Sequence, residues 1–240
     1  MFNKVPIRTL PSGVPGLDEV LGGGIPEFSL NLIVGGAGSG KTTLGQQVMF
    51  ANATPERKAL FFTVIGEPPI KMLRYMQQHS FFDASKVGES IRFIHLGEEA
   101  QEGGLAKVLD CIVKEVEASN PAIVVVDSFR AVMRRTLATS TGELEVQDFM
   151  QRLALHLTSC EATTFLLGEY GDGEHDNSVF TVSDGIADDV STERLPLNVW
   201  TCLEWHVKIA ASGMISVRIN DGVTLAAELN ADTQQVDLTR

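Results

Sequence analysis

The sequence predicts an α/β fold with a mostly parallel central sheet flanked by helices. Strand-like and helix-like segments alternate through the first two thirds of the chain, and such alternation needs crossover connections that lay the strands parallel. The stretch Gly35-Gly36-Ala37-Gly38-Ser39-Gly40-Lys41-Thr42-Thr43 fits the phosphate-loop pattern G-x-x-x-x-G-K-[ST], and it stands between an apolar run and a helix-forming run. The chain has 240 residues, 44% of them hydrophobic and 21% charged. These values suit one globular domain, expected over residues 1–230, followed by a polar tail at 231–240 that frays.

Each element has its own signal. Between Arg8 and Pro26, Leu17 to Leu21 reads as one short helix, ended by Gly22-Gly23-Gly24, with Pro26 in a turn. Ser29 to Val34 is a short apolar run of strand character, and Leu44 to Ala53 carries helix formers broken only by Gly45. Lys58 to Ile65 is rich in aromatic and branched residues and is closed by Gly66, as a buried strand would be. Apolar residues at 70, 73 and 76 suit a helix over Ile70–Gln78, and Ile91 to Leu96 reads as a third strand. Leu105, Val108, Leu109, Ile112, Val113 and Val116 follow the 3.6-residue period, so Gly104–Ala118 is an amphipathic helix, broken by Asn120-Pro121. Ala122 to Val126 is a core strand ending in Asp127. Val146, Phe149, Met150, Leu153 and Leu157 mark a second amphipathic helix, and Thr163 to Leu167 a buried strand closed by Gly168-Glu169. Trp200–Ile209 and Met214–Ile219 read as strands; Asn220-Asp221-Gly222 is a tight-turn signal and Val223–Ala227 its return strand, which makes a C-terminal β-hairpin.

Ligands of parallel sheets gather at the carboxyl ends of the strands, where the phosphate loop, Glu67, Asp127 and Glu169 fall. Glycines let backbone N–H groups approach phosphate oxygens, and the helix that follows points its positive end at the same anion. Lys41 would neutralise the β- and γ-phosphates and Thr42 would offer its hydroxyl to Mg²⁺. Asp127, after four apolar β residues, is placed to hold Mg²⁺ through water; the alternative is a helix cap shared with Ser128. No N-K-x-D guanine motif is present, so ATP is preferred to GTP.

A formal charge of −12 and a pI of 4.8 disfavour non-specific binding to nucleic acid or to anionic membranes. Cys111, Cys160 and Cys202 form neither a disulfide framework nor a metal knuckle; packed thiols in a reducing cytoplasm are expected. The N-terminus lacks a signal-peptide pattern and no run has the length of a membrane span. The five His residues show no metal-binding spacing. Arg130, Arg134 and Arg135 read as a solvated helix face, or as a pore-facing patch for a polyanion if the chain assembles into a ring.

Ser12-Gly13, then Pro15-Gly16-Leu17-Asp18, then Leu21-Gly-Gly-Gly-Ile-Pro26 ahead of the phosphate loop resemble the opening of the KaiC family of RecA-like ATPases, relatives of RadA. Phe50 to Arg57 together with Phe62 to Pro69 resembles a bacterial branch of that family, and the similarity runs from about Arg8 to Ile186. The resemblance implies a RecA-like P-loop NTPase, slow ATP hydrolysis coupled to conformational or oligomeric switching, a homo-oligomer such as a hexameric ring, and a protein partner of unknown identity. KaiC-like proteins end the second core strand with two adjacent acids, the first of which polarises the attacking water. Here the pair is Gly66-Glu67, so Glu67 either takes over that role or only orders the loop before Pro68-Pro69. Glu169 matches a position that senses the γ-phosphate. A Lys-x-Arg pair acting from a neighbouring subunit is matched by Lys208, with Ala210 in place of the Arg; the alternative for Lys208 is a strand-edge lysine. The competing readings are a non-hydrolysing ATP-binding scaffold, a recombinase-type DNA-binding ATPase and an autophosphorylating kinase. For the last, Thr139-Ser140-Thr141 cannot be matched to the phosphorylated residues of KaiC.

Overall fold

A computed structural model describes residues 7–64, 69–133, 136–169, 182–188, 205–209, 213–220 and 224–230. The chain opens with β1 (Thr9–Leu10), α1 (Leu17–Val20) and β2 (Ile25–Pro26). Then come β3 (Leu30–Val34), α2 (Lys41–Asn52), β4 (Ala59–Thr63) and α3 (Pro69–Met76). Next are β5 (Ile91–His95), α4 (Gly97–Glu102), α5 (Gly104–Ser119) and β6 (Ile123–Asp127). The series ends with α6 (Phe129–Met133), α7 (Gly142–Ser159), β7 (Thr163–Gly168), β8 (Gly185–Asp188), β9 (Trp205–Ile209), β10 (Gly213–Asn220) and β11 (Thr224–Asn230).

Strands β1 and β2 pair with each other, and the other nine form one sheet in the order β11-β10-β9-β8-β3-β7-β6-β4-β5. The six strands from β8 to β5 in that order are parallel to their neighbours. The last three strands are antiparallel, with β10 and β11 forming the expected C-terminal hairpin. Each central strand is apolar on both faces, as helices on both sides of a sheet demand. Leu30, Leu32 and Val34 join a core with α5 and α7 on one face. Ile33 points the other way, to a core with Leu44, Val48 and Met49 of α2. Gly45 allows the close approach of α2 to the sheet: a Cβ there would meet Leu167 Cδ1 at 3.1 Å and Val125 Cγ1 at 3.4 Å.

The mostly parallel sheet, its flanking helices and the hairpin match the sequence expectation, with shifted bounds. Helix α2 begins at Lys41, not Leu44, because the phosphate-loop residues Lys41 to Thr43 form its first turn. Five elements had no usable signal: β1 and β2 are strands of two residues each, and β2 takes in Pro26, which was expected in a turn. Helices α4 and α6 have six and five residues, too few to display a period, and β8 is a four-residue segment. The tight-turn residues Asp221 and Gly222, and the tail from Ala231, lie outside the described residues.

The N-terminal Gly/Pro-rich segment is a strap across α2. Gln47 Nε2 donates to the Gly13 carbonyl at 2.6 Å, Asn52 Nδ2 to the Pro11 carbonyl at 2.7 Å, and the Ser12 amide to Asp18 Oδ1 at 2.7 Å. Gly13 has φ +71°, and a Cβ on it would lie 2.7 Å from Ala51 Cβ. Gly16 has φ +81° but open space around it. Gly13→Ala is therefore expected to carry both backbone strain and overpacking, costing about 1–3 kcal/mol, whereas Gly16→Ala carries strain alone. Thermal denaturation of the two variants should place Gly13→Ala lower in Tm; equal melting would refute the close packing of the strap.

Candidate functional site

The parallel register brings the chemistry-bearing strand ends level. Val34 of β3 pairs with Gly168 of β7, Leu167 of β7 with Asp127 of β6, and Asp127 with Thr63 of β4. The phosphate loop leaves β3 at this end. Its glycines are required by conformation more than by crowding: Gly38 and Gly40 have φ of +81° and +89°, and a Cβ on either would meet nothing within 4 Å. Gly40 thereby starts α2, whose first internal bond runs from the Leu44 amide to the Gly40 carbonyl at 2.9 Å.

Lys41 is nearly buried, with 9% of its surface exposed. Its ammonium donates to the Gly35 carbonyl at 3.0 Å, the Gly36 carbonyl at 2.6 Å and Ser39 Oγ at 3.3 Å. The side chain is thus folded onto its own loop, and its three donors meet three loop acceptors. One residue on, Thr42 Oγ1 donates to Asp127 Oδ2 at 2.7 Å. This bond joins the first turn of α2 to the end of β6 across 85 residues of sequence. Burial pushes the Asp127 carboxyl above the ordinary carboxylate range; the Thr42 hydroxyl and Lys41 pull it down, and the neighbouring Glu169 adds to the rise. The Asp127 carboxylate thus accepts from the first turn of α2.

A hydroxyl and a carboxylate side by side are hard oxygen donors of the kind Mg²⁺ prefers. Among the described residues no group of three or more His, Cys, Asp or Glu could hold a metal. The donor set therefore fits an ion bound by one or two protein oxygens plus phosphate and water, as Mg²⁺ commonly is.

Glu169 is exposed at the end of β7, close enough for its charge to act on Asp127. Glu67 and its neighbour Gly66 lie outside the described residues, as do Arg134, Arg135, Cys202 and Ala210. The strand-edge alternative for Lys208 is not met: β9 is paired on both sides, Lys208 standing opposite Ile186 of β8 and Met214 of β10. Through Ile186 it aligns with Leu32, the middle of β3, so its backbone sits at mid-sheet and not at the phosphate-loop end. Arg130 is also corrected. It is half-buried, and its Nη1 donates to the backbone carbonyl of Glu169. Sequence gave no sign of that contact, because it depends on a helix too short to read. Of the described cysteines both are free and half-buried; burial, then Glu99 and Glu115, pushes the Cys111 thiol upward.

The described cavities lie elsewhere. An apolar one of about 140 Å³ sits between α1, α2 and the sheet, lined by Leu17, Leu21, Val48, Phe165 and Ile186 among others. An open polar one of about 460 Å³, lined by Arg8, Glu27, Arg57 and Cys160 among others, lies toward the amino ends of the strands. Neither of these two is lined by the phosphate loop.

Comparison with known proteins agrees with this arrangement. The family model described as "ATPase: KaiC" matches residues 10–191. A UPF0273 protein of Sulfurisphaera tokodaii is 32% identical over 105 residues, covering 43% of this chain and 37% of that protein. The DNA repair protein RadA of Mycobacterium tuberculosis is 33% identical over 138 residues, covering 57% of this chain and 24% of that protein. The matches therefore span little more than a third of the first relative and about a quarter of the second. Among solved structures, a KaiC-like protein of Pyrococcus horikoshii superposes with a TM-score of 0.65 over 92% of this chain and 99% of that one, at 22% identity; that likeness concerns the fold. No helix among the described residues is long and apolar enough to cross a membrane.

The raised pKa of Asp127 has a definite sign in stability. A carboxyl that holds its proton more tightly when folded contributes stability at low pH, and that contribution is lost as pH rises through the folded value. Asp127→Asn keeps an acceptor for Thr42 and removes the buried charge. In nucleotide-free buffer at pH 7 it is expected to raise Tm, by roughly 2–4 °C per kcal/mol recovered. The gain should shrink as pH falls toward 4 and the wild-type carboxyl takes up its proton. A gain that persists unchanged at acid pH would show that charge is not its cause.

Proposed function

Because the chain belongs to the KaiC family of ATPases, matched over residues 10–191, we propose that it binds ATP with Mg²⁺ and hydrolyses it slowly, nucleotide state setting how copies of the chain pack together. The observation that carries this reading is the pairing of two contacts at adjacent residues: Lys41 on its loop carbonyls and Thr42 on Asp127. Backbone N–H groups of the glycine loop and the start of α2 supply a cradle for the phosphates. Lys41 exchanges its bonds to Gly35 and Gly36 for bonds to phosphate oxygens, so the charge it brings is already in position. Thr42 and Asp127 hold Mg²⁺, which when bound neutralises charge on the β- and γ-phosphate oxygens. Glu67 is the residue assigned to orient the attacking water, and Glu169 to respond to the γ-phosphate beside Asp127. Lys208, in a strand paired on both sides, is kept as a cation acting on a neighbouring copy.

A second reading, ATP binding without turnover, is favoured by two residues: Gly66 stands where KaiC-like relatives have the first of two acids, and Ala210 where they have an Arg. Both removals concern the hydrolytic step and leave the phosphate cradle whole. Recombinase-type DNA binding draws on the RadA similarity, and the net charge of −12 opposes it.

Phosphate release and thermal shift separate these readings. With MgATP at a hundredfold excess over Kd, wild-type protein is expected to gain roughly 2.7 kcal/mol of stability, and Lys41→Ala to lose most of that gain. Phosphate release above the Lys41→Ala background supports hydrolysis; stabilisation without release supports the scaffold; no stabilisation by either ATP or ADP refutes both. Light scattering with and without MgATP measures the packing change, and an unchanged mass with bound nucleotide would refute oligomeric switching.

A further inference from the structure

We propose that Arg130 is a positioning residue for the metal side of the site: by holding the end of β7 it keeps the Glu169 carboxylate beside Asp127. The inference rests on the ATP–Mg²⁺ reading above. Arg130 belongs to α6, which begins two residues after Asp127. That helix is short, and it is fixed by burial: Phe129 and Met133 are fully buried and Val132 is 6% exposed. Phe129 also stacks on Phe149 of α7, with ring centres 5.9 Å apart. A helix clamped by three buried side chains cannot swing, so the one residue between Phe129 and Ala131 leaves it in a defined direction. Its guanidinium reaches across to the neighbouring strand and donates to the Glu169 carbonyl.

The consequence is mechanical. Strand β7 ends at Gly168, so the Glu169 carbonyl is the first one past the strand. Without a partner there, the chain leaving the sheet would be free to turn Glu169 away. With Arg130 in place, β6 and β7 are tied together just beyond their last register pair, Asp127 with Leu167. Two acids from adjacent strand ends are then held near one another, an arrangement that costs energy between like charges and that a divalent cation relieves. Arginine suits the task because its planar fork is pre-organised and less rotamer freedom is lost per bond than for lysine. Arg130 acts through the backbone of Glu169, and in this proposal the Glu169 carboxylate, whose charge reaches Asp127, would act on the ion or its water shell.

The test is titration calorimetry of ATP on the full chain, once with Mg²⁺ and once with EDTA, for wild type, Arg130→Ala, Arg130→Lys, Glu169→Gln and the Arg130→Ala/Glu169→Gln double variant. The readout is the ratio of the two affinities, which a general loss of folding does not move. Wild type is expected to bind more tightly with Mg²⁺. Arg130→Ala should lose about fivefold to tenfold of that ratio with EDTA affinity kept, and Arg130→Lys should recover part of it. Because one residue acts through the other, the double variant should fall no lower than Glu169→Gln alone. A wild-type ratio in Arg130→Ala, or losses that multiply in the double variant, would overturn the proposal while leaving ATP–Mg²⁺ binding intact. No nucleotide binding by wild type would overturn the functional reading and this proposal with it. Equal wild-type affinities with Mg²⁺ and EDTA would overturn this proposal and the Mg²⁺ part of the functional reading, leaving ATP binding itself intact.

Discussion

One bond ties the two halves of the site together: the Thr42 hydroxyl on the Asp127 carboxylate. Thr42 belongs to the first turn of a helix on one face of the sheet, and Asp127 to the end of a strand two places away from the strand that feeds the loop. For that bond to form, β3, β7 and β6 must end level, and α2 must lie close on the sheet. Register supplies the first condition and Gly45 the second. The N-terminal strap adds a third constraint from outside, fixing α2 through Gln47 and Asn52. The Gly/Pro-rich opening therefore has a physical role that its composition does not announce. It holds the helix that carries Lys41 and Thr42.

The same arrangement explains why the site is costly to keep without ligand. Asp127 is shielded from water, and Glu169 adds a like charge to its surroundings. Lys41 is nearly buried and spends its donors on loop carbonyls. Charges of both signs are thus held in place before any phosphate arrives. On the proposed reading the backbone cradle needs little reorganisation, while the Lys41 ammonium must exchange its loop carbonyls for phosphate oxygens.

Most of the sheet was legible in the sequence because its strands are buried on both faces and read as continuous apolar runs, Ala59 to Thr63 and Ile123 to Val126 being the clearest. The two long helices α5 and α7 were legible for the complementary reason: each buries one stripe, and Leu105 to Val116 and Val146 to Leu157 repeat at the helical period. Lys41, Thr42 and Asp127 were found through local motifs in their strand–loop–helix setting. What escaped was short or depended on distant partners. Helix α6 shows no period in five residues, β8 is a strand only because β3 and β9 flank it, and the Arg130 bond to Glu169 spans 39 positions. Lys208 was misjudged as an edge residue for the same kind of reason: a strand's neighbours are a property of the assembled sheet and not of its own residues.

The departures from the family pattern divide along a physical line. The residues proposed to grip a phosphate tail are all present: the loop glycines, Lys41, Thr42 and Asp127. On the proposed reading Gly66 and Ala210 fall at positions whose chemistry would concern the attacking water and the charge that develops on the transferred phosphoryl group. Interactions of the first kind act alike on ground state and transition state, so they set affinity; those of the second kind act in the transition state and set rate. A chain can lose rate without losing affinity when substitutions respect that boundary. Strand β7 sits on the boundary itself, because its end lies beside Asp127, the proposed Mg²⁺ ligand, and the Glu169 carbonyl accepts from Arg130 of α6. The Arg130 bond to the Glu169 carbonyl therefore belongs to the proposed binding side of that division and does not depend on whether the hydrolytic groups are present.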